Sequence, residues 1–83
     1  MKGDRKLLDA LKRSKADVGF RQLDRLYTSF GFVRREGKRH VIYTHPRHPQ
    51  LQAAVSRKRS LAVGHVTTAI RLVERAIALE EQP

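Results

Sequence analysis

The spacing of apolar positions changes twice along this 83-residue chain. Residues 4–13 put Leu7, Leu8 and Leu11 on one side of a short helix, with Asp4 placed to cap it. The stretch Ser14-Lys15-Ala16-Asp17-Val18-Gly19 breaks that period. From about Gly19 to Phe30, the residues Phe20, Leu23, Tyr27 and Phe30 recur at i, i+3, i+7 and i+10, with Leu26 beside them. That is the stripe of an amphipathic helix. Arg21, Asp24 and Arg25 fall on its wet side. Gly31 sits where a helix ends in a left-handed residue.

Beyond Gly31 the period shortens to that of strands. Phe32 to Glu36 reads as a strand, Gly37-Lys38 as a turn and Arg39 to Thr44 as a second strand. In that second strand His40, Ile42 and Thr44 share one face, and Val41, Tyr43 and His45 share the other. His45-Pro46-Arg47-His48-Pro49 reads as a loop, because proline cannot donate to the ladder of a paired strand. Leu51 to Ser56 fits a third strand, and Arg57 to Leu61 a basic connector. From about Val63 to Glu80 the helical period returns, with Val66, Ile70, Val73 and Ile77 in a stripe that Leu72, Ala76 and Leu79 widen. Arg71, Glu74 and Arg75 lie outside it. The order predicts an α+β fold: a small two-layer domain, with a three-stranded antiparallel sheet and helices on one face. Residues 1–83 form one domain, with a helical extension over 1–17 and a core over 18–80.

Composition narrows the function. Hydrophobic residues make up 40% of the chain, enough for a folded core. There is no cysteine, which excludes disulfides, thiolate nucleophiles and cysteine-based zinc sites. No stretch approaches the ~20 apolar residues of a membrane span. The basic start leads into only Leu7-Leu8, not a signal core, so the sequence predicts no membrane association and a cytoplasmic location.

Charge changes the picture most. Eighteen Lys and Arg stand against eight Asp and Glu, a net charge of +10. Residues 31–59 hold Arg34, Arg35, Lys38, Arg39, Arg47, Arg57, Lys58 and Arg59 against Glu36 alone. Charge kept only for solubility has no reason to gather there. A polyanion is the expected partner, since each neutralised phosphate releases counterions and adds affinity. Those eight residues and His45 are the candidate phosphate contacts. Charge by itself does not separate RNA from DNA. His40, His45 and His48 lack an accompanying carboxylate or thiolate and lie in cationic surroundings, so no metal or other cofactor is expected.

The ordered combination Phe20-Arg21-Gln22-Leu23-Asp24-Arg25-Leu26, Phe30-Gly31-Phe32, His40-Val41-Ile42-Tyr43-Thr44-His45-Pro46, then Val66 and the last helix, resembles the HicA-type toxins of bacterial toxin–antitoxin pairs. The resemblance covers roughly residues 18–79. It implies a fold like a double-stranded-RNA-binding domain and a metal-independent endoribonuclease that cleaves messenger RNA. It also implies a HicB-like antitoxin that masks the toxin surface. The family's active histidine stands five residues before the histidine of its His-Pro pair, which is His40 in this chain. Where the family usually has Gly-Ser just before it, this chain has Lys38-Arg39, and its glycine, Gly37, comes one residue earlier. Aligning on the glycine would put Arg39 at the histidine position; the register through His45-Pro46 matches the whole strand and is the one adopted. A histidine suits removal of the 2′-hydroxyl proton, because imidazole titrates near neutral pH. Lys38 or Arg39 would stabilise the charge that builds on the phosphate. The general acid is left open between His45 and water. A basic binding module without chemistry, or a domain that docks an acidic protein, would carry the same charge pattern.

Overall fold

A computed structural model describes residues 3–81 of the chain. The elements follow in the order α1 (Arg5–Arg13), α2 (Phe20–Ser29), β1 (Val33–Glu36), β2 (His40–Thr44), β3 (Gln52–Ser56) and α3 (Val63–Glu80). The expected α+β architecture is present. The strands are a residue or so shorter than the sequence pattern suggests, because Phe32, Arg39 and Leu51 flank the ladder without joining it.

Local chemistry sets the helix ends. Asp4 caps α1 by accepting the Leu7 N–H at 3.0 Å. The Asp4 N–H donates to the Ser29 hydroxyl at 3.0 Å, and Arg25 reaches the second carboxylate oxygen at 2.7 Å. The cap therefore also ties α1 to α2. At the end of α2, Gly31 takes φ +90°, where a side chain is strained. This lets the Gly31 N–H reach the Thr28 carbonyl at 3.1 Å and the Phe32 N–H reach the Tyr27 carbonyl at 3.0 Å. Both are the reverse bonds that close a helix C-terminus, and the Phe32 ring packs edge-on against Tyr27 with centroids 5.1 Å apart.

The sheet has the order β1-β2-β3 and is antiparallel throughout. The register pairs Arg35 with Ile42 and Glu36 with Val41 on one side of β2. On the other side it pairs His40 with Ser56 and Tyr43 with Ala53. β1 and β3 are the outer strands, each with one unpaired backbone edge. α2 packs on β1, α3 packs on β3, and α1 packs against both helices. The core between the layers holds Leu23, Leu26, Tyr27, Val41, Tyr43, Val55, Val66 and Val73, all essentially buried. The opposite face of the sheet carries Val33 and Arg35 from β1, His40, Ile42 and Thr44 from β2, and Gln52, Ala54 and Ser56 from β3, and no helix among the described residues covers it. No helix among the described residues is long and apolar enough to cross a membrane.

Candidate nucleic-acid interface

The hairpin between β1 and β2 brings the basic residues of the sequence to one end of the sheet. Gly37 and His40 close a two-residue turn, with the Gly37 N–H donating to the His40 carbonyl at 2.8 Å. Lys38 and Arg39 form its tip. A Cβ on Gly37 would lie 2.8 Å from that same carbonyl, so the turn admits glycine there without displacement. His40 is the first residue of β2 and is exposed on the uncovered face. Arg35 points to the same face, since it pairs with Ile42, the next residue on that face after His40. Ser56 lies directly opposite His40 on β3. His40, Arg35, Lys38 and Arg39 thus form one exposed cluster, and none of them is in an ion pair among the described residues.

Other predicted contacts are held by the fold itself. Arg34 points to the helix side of β1. Its guanidinium donates to Asp24 at 2.9 Å, also pairs with Glu36, and lies 5.7 Å from the Phe20 ring centroid. Asp24 in turn accepts the Tyr43 hydroxyl at 2.6 Å. Arg57 pairs with Glu36 and reaches the turn carbonyls of Gly37 at 3.3 Å and Lys38 at 3.5 Å. It clasps the hairpin tip to the end of β3. The Glu36 carboxyl is held below its ordinary pKa by the hydrogen bonds from Arg57 and then Arg34. Arg47 is paired with Glu80 at 3.1 Å at the far end of the sheet.

Lys58 and Arg59 continue from Arg57 into a cleft of about 510 Å³ at the start of α2, where Arg21 joins them. The connector is fixed there by the Phe20 N–H donating to the Lys58 carbonyl at 3.0 Å and by the Leu61 N–H donating to the Val18 carbonyl at 2.7 Å. Arg21 is the cation that sequence reasoning missed. The sequence places it only on the wet side of α2, and its meeting with Lys58-Arg59 depends on how the connector crosses α2.

His45 lies away from His40. It follows β2 on the covered side, is buried, and packs edge-on against Phe32 with centroids 5.2 Å apart. Its Nδ1 accepts the Arg47 N–H at 3.2 Å. Burial, and after it the neighbouring His48, hold its imidazole below the ordinary pKa. His48 hydrogen-bonds Glu80 at 3.1 Å. These histidines organise the loop and its contact with α3, and His45 is not placed to serve a substrate at His40. No family model, curated protein or solved structure matches the chain, so the chemistry of this surface rests on its own residues.

Proposed function

We propose that the chain is a HicA-like toxin, a metal-independent endoribonuclease with His40 as its general base. One observation carries this reading: an exposed histidine stands on an uncovered sheet face among the unpaired cations Arg35, Lys38 and Arg39. His40 removes the proton of a ribose 2′-hydroxyl. The freed oxygen attacks the adjacent phosphorus, the bond to the 5′-oxygen breaks, and a cyclic phosphate forms. The cations stabilise the charge on the non-bridging oxygens. Water protonates the leaving 5′-oxygen, since His45 lies on the other side of the sheet. Lys58, Arg59 and Arg21 bind the backbone of the strand beyond the cut. A HicB-like antitoxin with an acidic face would cover the same cations.

The test is incubation of long single-stranded RNA in EDTA with the parent protein and with His40→Ala. The parent should leave cyclic-phosphate ends, and the variant should cut about 10²-fold more slowly or less. Equal cutting by both would remove His40 from the chemistry. Salt-sensitive binding with no cutting by either would favour a second reading, a non-catalytic RNA-binding module. The specific observation behind that reading is that, among the described residues, no carboxylate, tyrosine or second histidine shares the face with His40.

A further inference from the structure

His45 carries a hydrogen-bond donor that the fold leaves unused. The residue is only 3% exposed. Its Nδ1 accepts the Arg47 N–H, which puts the proton of the neutral ring on Nε2. Burial lowers its pKa and so keeps the ring neutral. Nε2 has no acceptor among the described residues. It is not sealed in, however: among those residues, the fully inaccessible side-chain polar atom without a partner is the Tyr27 hydroxyl. A buried donor without a partner is costly, and such groups point to a missing acceptor.

Gly31 shows where Nε2 points. A Cβ built on Gly31 would meet this nitrogen at 3.6 Å and, its chain neighbours aside, nothing else within 4 Å. Gly31 and His45 both line a pocket of about 320 Å³ at the end of β2 opposite the hairpin. The unused N–H therefore faces the open space over Gly31.

The other walls set the charge of what can enter. Thr28 and Ser29 bring the C-terminal end of α2, whose carbonyls carry partial negative charge and disfavour an anion. The Glu80 carboxylate is a wall too, with one oxygen bonded to Arg47 and the other to His48. A cation would meet the His45 N–H and the Arg47 guanidinium. An uncharged acceptor is the class that remains. Pro46 offers an apolar ring, and the Arg47 guanidinium is a largely exposed planar group on which an aromatic ring can stack. The net charge of +10 draws nucleic-acid strands to the chain.

We propose that this pocket receives one unpaired nucleobase, with an acceptor atom of the base on the His45 Nε2–H and the base ring against Pro46 and Arg47. Bases of single strands are free to be splayed out and read in this way. The inference rests on the nucleic-acid part of the reading above and not on cleavage at His40.

The experiment is an NMR titration of the whole chain with uridine, cytidine, guanosine and adenosine, which are uncharged. Ribose 5-phosphate and acetamide serve as probes that lack the base and the ring. At least one nucleoside should shift the His45 ring and the Gly31 amide saturably, and neither control should match it. His45→Asn keeps an acceptor for the Arg47 N–H and should weaken binding roughly three- to tenfold, the usual effect of losing one neutral hydrogen bond. Gly31→Asn tolerates the left-handed backbone, fills the space before Nε2 and should abolish binding, with a dispersed amide spectrum showing that it folds. His40→Ala should bind nucleosides as the parent does. On short single-stranded RNA in that background, adding Gly31→Asn should lower affinity at every salt concentration and leave the slope of log K against log salt unchanged, because no phosphate contact is lost. Nucleoside binding without RNA cleavage would leave this pocket standing and remove only the ribonuclease. Absence of any nucleoside shift, an equal shift with ribose 5-phosphate or acetamide, or undiminished binding by folded Gly31→Asn would overturn the proposal.

Discussion

Tyr27 and Tyr43 stack in the core with ring centroids 4.6 Å apart, but their hydroxyls differ in company. That of Tyr43 donates to Asp24, and desolvation together with that carboxylate raises its pKa. Tyr43→Phe removes a hydrogen bond to a charged acceptor and should cost about 1.5–3 kcal/mol, read as a lower urea midpoint with an unchanged slope. Asp24 would keep Arg34 as its partner. The sequence reads Asp24 as a wet-side helix residue, and its i, i+3 spacing is right for that. Its role is not legible there because Tyr43 is 19 residues away and meets it only when α2 docks on the sheet.

The hairpin shows what an element adds to its residues. Arg57 reads in sequence as one of three consecutive cations in a basic connector. The β2–β3 register carries it to the tip of the β1–β2 hairpin, where its planar fork serves one carboxylate and two carbonyls at once. Lysine has the charge but not the fork. Arg57→Lys should therefore change global stability by less than about 1 kcal/mol, as expected for an exposed pair. It should nonetheless speed amide hydrogen exchange at Lys38, Arg39 and His40, and unchanged exchange would remove the clasp from the picture. The long periodic helices α2 and α3, the strands and the α+β class were all legible, because burial of one face imposes a period on the sequence. Which cations are spent within the fold was not, since that depends on cross-strand partners such as Glu36 that no local pattern announces.

For the molecule as a whole, acid should loosen the fold in two stages. His45 is held below its ordinary pKa in the folded state, with His48, Glu80 and Arg47 around it. The unfolded chain takes up a proton near imidazole's ordinary ~6.5 while folded His45 resists it. The stabilisation is thus complete above that pH and lost as pH falls through the folded value. Glu80 is also lowered, first by its bond to His48 and then by Arg47, so a second loss follows below the ordinary carboxylate range. Urea unfolding measured from pH 8 to 3 should show both stages. His45→Asn, whose side-chain oxygen can still accept the Arg47 N–H, should lose the first and keep the second.

The outer strands of the sheet carry one more consequence. β1 and β3 each leave an open edge, which in many proteins invites strand-to-strand addition between copies. Here a net charge of +10 opposes the approach of two copies. That protection is colloidal and not structural, so it fails when the charge is neutralised. Titration with a polyanion should raise light scattering to a maximum near charge equivalence and clear again in excess, with 0.5 M salt suppressing the rise.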